Sequence, residues 1–144
     1  MVAGVLAVST LNIGTGQLLE AVMGNPFVHV ELVTTDVKQA KSFYRSLFDW
    51  NLEDVPMDSG MTYTMIKVGE GTGGGMMKHP MPGQPSAWVP YVLVDNVVAA
   101  TKKAKTLDAK ILRDVSEVPG MGSFSIIQDP TGGVMGLWQA KAKQ

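Results

Sequence analysis

The chain contains an internal repeat, which limits the folds open to it more than any other feature of the sequence. Asp36 and Asp95 each follow an apolar segment, and they lie 95 − 36 = 59 residues apart. The triplet Thr-Gly-Gly at 72–74 returns at 131–133, again 131 − 72 = 59 residues later. Two landmarks at one offset indicate a duplicated unit. We therefore expect two modules built on one plan.

The first module opens with a strand that leads into a helix. From Phe27 to Val33 the side chains alternate between two faces, with the period of two that is typical of a strand. Asp36 offers a helix N-cap. The apolar residues that follow form a helical stripe of Val37, Ala40, Phe43, Tyr44, Leu47 and Phe48. The helix covers one face of the strand, which leaves His29 and Glu31 on the other face.

Both modules read as β-α-β-β-β. After the first helix, strands are predicted at Asn51–Met57, Met61–Val68 and Gly74–His79. The second module is predicted to have a strand at Trp88–Val94, a helix at about Val97–Leu107, and strands at Lys110–Val115, Ser123–Gln128 and Val134–Gln139. One helix covers one sheet face, so two such units are expected to join and curl around a concave pocket. The predicted fold class is α+β, with a curled mixed sheet.

The predicted domain organisation is one domain at residues 26–139, with module one at 26–80, a proline-containing linker at 80–87 and module two at 88–139. Residues 1–25 are predicted to be an N-terminal extension and residues 140–144 a polar tail. The extension is apolar, but no Lys or Arg precedes Lys38, so it does not resemble a signal peptide. Two interpretations stay open: an extra element packed on the domain or on a partner subunit, or a natural start at Met23.

Composition excludes several classes of function. The net charge of −1 and the pI near 6.1 disfavour binding to nucleic acid or to an acidic membrane. The absence of cysteine excludes disulfides, thiolate metal sites and cysteine nucleophiles. At 144 residues and 45% hydrophobic content, the chain suffices for one ordinary core. We expect a cytoplasmic protein without a membrane partner.

The alternation of side chains predicts which residues line the pocket. In module one these are His29, Glu31 and Val33, and the 59-residue shift adds Trp88, Pro90 and Val92 from module two. His29 and Glu31 are candidate catalytic residues, because a His–Glu pair can remove a proton alpha to a carbonyl. Apolar ligand-binding candidates are Met65, Met77, Trp88 and Trp138. The facing of Tyr63 and Tyr91 is not assigned.

Two motifs resemble the vicinal oxygen chelate superfamily, which includes glyoxalase I, bleomycin-resistance proteins and extradiol dioxygenases. They are HVELVTTD…SFY at His29 to Tyr44 and IIQDPTGGVMGLW at Ile126 to Trp138. Together with the repeat they cover most of the chain, and the closest resemblance is to small bacterial proteins related to lactoylglutathione lyase. The resemblance implies the paired β-α-β-β-β fold and a homodimer.

The resemblance also implies a metal held by four side chains, two from each module. The matching positions here are His29, Met77, Trp88 and Gly136. Only His29 is a ligand for zinc, nickel, iron or manganese, each of which needs three or four N or O donors from the protein. We therefore expect no metal centre of the family type and no other cofactor, and we count Gly136 among the pocket positions that contact a ligand. Glu31 or His79 would rescue a metal site only with unusual geometry.

Three hypotheses for function follow. The first is a metal-independent protein of the bleomycin-resistance type that binds a small apolar or aromatic molecule in the concave pocket. The second is a lyase, isomerase or dioxygenase of the same superfamily that depends on a divalent metal. The third is a structural or regulatory partner protein with a vestigial pocket. The sequence does not decide whether the protein is an enzyme.

Overall fold

The structure, a computed structural model, describes residues 24–142. It has ten elements: β1 Phe27–Thr34, α1 Val37–Leu47, β2 Asn51–Pro56, β3 Thr62–Lys67, β4 Gly74–Lys78, β5 Ala87–Leu93, α2 Val97–Thr106, β6 Lys110–Val118, β7 Gly122–Gln128 and β8 Val134–Ala140. The predicted extension and the predicted start at Met23 lie outside these residues, apart from the last two residues of the extension. Neither described helix is long and apolar enough to span a bilayer.

The eight strands form one mixed sheet in the order β2-β3-β4-β1-β5-β8-β7-β6. Within module one β1 runs parallel to β4, and within module two β5 runs parallel to β8. The modules join through the antiparallel pair β1 and β5 at the centre of the sheet. The predicted α+β class and the two β-α-β-β-β units are thus confirmed, and β1 and β5 bring residues of both modules side by side.

Both helices pack on the same face of this sheet. Under α1 the buried core consists of Leu32, Leu52, Ile66 and Met76. Under α2 the hydroxyl groups of Thr101 and Ser125 share a buried hydrogen bond of 2.8 Å, beside the buried Leu137. We call the opposite side the helix-free face. Because neighbouring residues in register share a face, Glu31 and the residues in register with it belong to the helix-free face.

Only part of the predicted stripe of α1 reaches the core. Val37, Ala40 and Tyr44 pack against the buried cluster. Phe43 and Leu47 are 58% and 57% exposed. The prediction of the helix was therefore correct, but its apolar stripe is wider than the surface that the sheet covers.

The strand residues predicted to line the pocket from module two lie on the helix side, and this prediction was wrong. Trp88 pairs with Leu32, and its indole contacts the rings of Tyr44 and Trp50 with centroid distances of 5.5 and 6.3 Å. The residues of β5 that share the helix-free face are Ala87, Val89 and Tyr91, which pair with Val33, Glu31 and His29.

The error comes from one extra residue between β5 and α2. The N-cap of α1 is Asp36, whereas the N-cap of α2 is Asn96, so the modules are related by 96 − 36 = 60 residues at this point. A shift of one residue turns every side chain of a strand to the opposite face. With a shift of 60, His29 corresponds to Val89 and Glu31 corresponds to Tyr91.

This alignment predicts which residue of the second module stabilises its helix. Asn96→Ala should lower the free energy of unfolding by about 1 kcal/mol, because the Asn96 side chain accepts a hydrogen bond of 3.0 Å from the N–H of Ala99. Asp95→Ala, the matched control one residue earlier, should change it by less than about 0.5 kcal/mol. Urea denaturation measures both. A larger loss in the Asp95 variant would contradict the shift of 60.

Candidate functional site

Four polar side chains from three strands meet on the helix-free face. Glu31 of β1 accepts hydrogen bonds from the hydroxyl groups of Tyr63 on β3, at 2.9 Å to Oε1, and of Tyr91 on β5, at 3.0 Å to Oε2. The Nε2 of His29 lies 2.7 Å from the hydroxyl oxygen of Tyr63. We call these four residues the Glu31 cluster. It joins both modules, since Tyr91 belongs to module two and the other three residues belong to module one.

Two glycines make room for the two tyrosines. Tyr63 reaches β1 from β3 across the intervening strand β4, and a Cβ atom at Gly75 of that strand would overlap its hydroxyl and ring. Likewise, a Cβ atom at Gly136 of β8 would overlap the ring of Tyr91. Strands lie roughly 4.8 Å apart, so a phenol spans one intervening strand only if that strand carries no side chain there. Gly75 pairs with Glu31 as Gly136 pairs with Tyr91.

Burial and hydrogen bonding act on the ionisation of the cluster in opposite directions. Burial raises the pKa of Glu31, while the hydroxyl groups of Tyr63 and Tyr91 and the charge of Arg113 lower it again. Burial lowers the pKa of His29, which favours the neutral imidazole. Burial and the Glu31 carboxylate raise the pKa of both tyrosines well above its usual range. The two phenols therefore keep their protons and act as donors.

Apolar side chains surround this polar cluster on the helix-free face. On one side of it Met77 pairs with Val33, and Val89 stands opposite Glu31. On the other side Trp138 pairs with Leu93 and with Phe124. An open groove of about 420 Å³ runs along His29 and Met65 beside the glycine-rich segment 69–74. The face therefore combines an apolar surface with one polar cluster.

The structure brings together most of the residues predicted for the site. His29 and Glu31 lie in one hydrogen-bonded cluster, although Tyr63 stands between them. Met65, Met77 and Trp138 share the face with the cluster. Gly136 is buried beneath the ring of Tyr91. Trp88 is the exception, since it lies on the helix side. The roles of these residues in binding or catalysis stay predictions.

The two tyrosines are the site residues that the sequence did not identify. Tyr91 is 6% exposed, and its facing depends on the one-residue shift in β5. Tyr63 alternates along β3 with the buried Thr64, so its direction follows once Thr64 is placed under α1. The bare positions Gly75 and Gly136 were the available signal, because a glycine inside a strand marks the close approach of another group.

The donors do not fit the metal centre that the resemblance implies. Within residues 24–142 no three His, Asp or Glu side chains are grouped so that they could hold an ion. The counterpart of His29 in module two is Val89, and both oxygens of Glu31 already accept tyrosine hydroxyl groups. His79 lies at the end of β4, where its Nδ1 accepts the N–H of Met81. A centre with three protein donors therefore lacks its ligands here.

Two β-α-β-β-β modules joined through their first strands, with one polar cluster at the junction, define a two-module α+β domain. The family model of the Glyoxalase/Bleomycin resistance protein/Dioxygenase superfamily matches residues 27–135. The chain belongs to this superfamily, as its motifs indicated.

Relatives with similar sequences carry several names. A protein of Mycobacterium tuberculosis named "Putative glyoxylase CFP32" is 28% identical over 114 residues, which are 79% of this chain and 44% of that protein. The anthracycline biosynthesis protein DnrV of Streptomyces peucetius is 23% identical over 123 residues, which are 76% of this chain and 45% of that protein. The chain thus spans about half the length of these relatives.

Solved structures share the fold at low sequence identity. The hypothetical protein BH1468 from Bacillus halodurans superposes with a TM-score of 0.64 at 12% identity, over 84% of this chain and 98% of that one. The methylmalonyl-CoA epimerase from Mycobacterium tuberculosis gives a TM-score of 0.61 at 13% identity, over 81% of this chain and 88% of that one. At these identities the likeness concerns the fold alone.

Proposed function

We propose that this domain binds a small molecule with an apolar or aromatic body on the helix-free face, with the polar end of the molecule at the Glu31 cluster and without a protein-bound metal. The observation that carries the proposal is the half-buried carboxylate of Glu31, which two tyrosine hydroxyls hold among apolar side chains. Such a carboxylate is costly to bury, and a folded protein keeps it where it serves recognition or chemistry.

Three further observations support this proposal. Met65 and Met77 offer adaptable apolar contacts on the same face. The donor set does not suit a family-type metal centre. Two relatives are named for anthracycline biosynthesis, and anthracyclines are flat aromatic compounds. The metal-dependent lyase, isomerase or dioxygenase is the alternative that the experiment must exclude. The homodimer stays a prediction.

A thermal-shift screen with a library of apolar and aromatic compounds tests the binding. A bound compound raises the melting temperature by mass action. We expect hits whose shift persists in Trp88→Ala, because Trp88 lies on the helix side, and falls in Met77→Ala, because Met77 lies on the helix-free face. A shift that disappears only in the Trp88 variant would place the site elsewhere. No hit from a broad library would leave the structural or regulatory hypothesis.

Elemental analysis of protein purified without chelator tests the absence of metal. We expect less than about 0.1 equivalent of any transition metal per chain, because three donors are not available. The matched control is His29→Ala, which removes the only imidazole of the cluster. One tightly bound ion per chain that is lost in this variant would overturn the metal-free proposal and favour the metal-dependent alternative.

A further inference from the structure

The hydrogen atoms of the Glu31 cluster are all used inside the cluster. Each tyrosine hydroxyl has one hydrogen, and Tyr63 and Tyr91 both donate theirs to Glu31. Tyr63 therefore has no hydrogen left for its contact of 2.7 Å with His29. The Nε2 atom of His29 must supply the hydrogen of that bond. Neutral His29 thus carries its proton on Nε2 and a lone pair on Nδ1.

The positions left for a ligand are consequently acceptors only. The Nδ1 atom of His29 takes part in no hydrogen bond among the described residues, and each oxygen of Glu31 has a further lone pair. Glu31 and His29 are both half-buried rather than sealed, so part of each is open to a molecule on the helix-free face. Neutral acceptors such as ethers and ketones find no hydrogen to bind at this cluster.

The charge of the cluster points in the same direction. Glu31 is its only charged member when His29 is neutral, and the rings of Tyr63, Tyr91 and His29 surround it. A cation next to a half-buried carboxylate makes a charge-assisted hydrogen bond, and aromatic faces attract cations further. The nearest opposing charge is Arg113, which is exposed, stacks over Phe124 at 5.1 Å and bonds to Ser116.

From this count of hydrogens and charges we infer that the ligand carries a hydrogen-bond donor, foremost a protonated amine, on its apolar or aromatic body. This inference rests on the proposed function and adds the chemical class of the polar end. It also predicts discrimination, because a carboxylate in the same place would face the Glu31 carboxylate without a hydrogen between them. Arg113 is the residue that would favour an anion instead, so a carboxylate probe must be included.

Three probes that share one ring system and differ in their end group test the inference. They are 2-naphthylmethylamine, 2-ethylnaphthalene and 2-naphthoate, titrated at pH 7 by isothermal calorimetry. We expect the amine to bind at least about tenfold more tightly than the ethyl compound, and the carboxylate to bind least. In Glu31→Gln the advantage of the amine should fall to about threefold or less, since the charge is lost and the shape is kept.

The outcomes separate the inference from the proposed function. Equal affinity for the amine and the ethyl compound, or tightest binding of the carboxylate, would overturn the inference and leave a binding site. An amine preference that survives in Glu31→Gln would also overturn it. Failure of all three probes to bind would count against both the inference and the proposed function.

The state of His29 gives a test that needs no ligand. The chain has two histidines, so a His79→Gln variant leaves His29 as the sole source of imidazole signals. Nitrogen NMR at pH 7.5 should show the hydrogen on Nε2 and an unprotonated Nδ1. A hydrogen on Nδ1 would mean that Tyr63 donates to His29 and that the cluster has a hydrogen to spare, which would overturn the inference without touching the proposed function.

Discussion

Gly136→Ala is expected to lower the free energy of unfolding by about 3 kcal/mol, although it adds a single methyl group. The added Cβ would overlap the ring of Tyr91, which packs directly against the bare backbone of β8. Relief of this overlap moves the ring and weakens the hydrogen bond from Tyr91 to Glu31. Urea denaturation of the purified variant measures the loss.

A double-mutant cycle identifies the cause of that loss. In a Tyr91→Ala background the same glycine substitution should cost less than about 1 kcal/mol, because the ring that it displaces is gone. In a Tyr91→Phe background most of the cost should remain, because the ring is still present and only the hydroxyl is missing. An equal cost in all three backgrounds would mean that the backbone of β8, and not the Tyr91 ring, opposes a side chain at this position.

The second large effect concerns two neighbouring methionines that point to opposite faces. Met76 is fully buried at 0% exposure under α1, so Met76→Ala should cost about 2–5 kcal/mol through the cavity that it leaves. Met77→Ala removes the same atoms from the helix-free face and should cost about 1 kcal/mol, because Met77 is only half-buried. Urea denaturation compares the two variants directly.

The same pair of variants connects stability to binding. Met77→Ala should weaken the binding of an aromatic ligand severalfold, since its thioether lies beside the Glu31 cluster. Met76→Ala should leave the affinity of the folded fraction within about twofold, as its side chain lies on the other side of the sheet. If both variants lost the same stability, the assignment of faces in β4 would be wrong.

Much of the fold follows from the sequence because local patterns and the repeat agree. The alternation in β1, the N-cap at Asp36 and the glycine-marked turns predict the strands and helices to within a few residues of those in the structure. The pairing of two modules follows from the repeat. These features depend on residues close together in the chain, and such residues act through short-range geometry.

The site was harder to predict because it depends on register and on reach. One extra residue before α2 reverses the faces of β5, so Trp88 leaves the predicted pocket and Tyr91 enters it. Whether Tyr63 reaches β1 depends on the absence of a side chain at Gly75, a residue of a different strand. Neither fact is visible in the local pattern, although His29 and Glu31 were correctly placed on one face.

The repeat makes the domain nearly symmetric, but the Glu31 cluster is not. At a shift of 60 residues, Glu31 and Tyr91 occupy equivalent positions of the two modules, and they bind each other across the β1–β5 junction. One half has become the acceptor and the other the donor. A molecule that lies on this face therefore meets different chemistry on its two sides, which gives it one orientation. Binding should saturate at one molecule per chain rather than two.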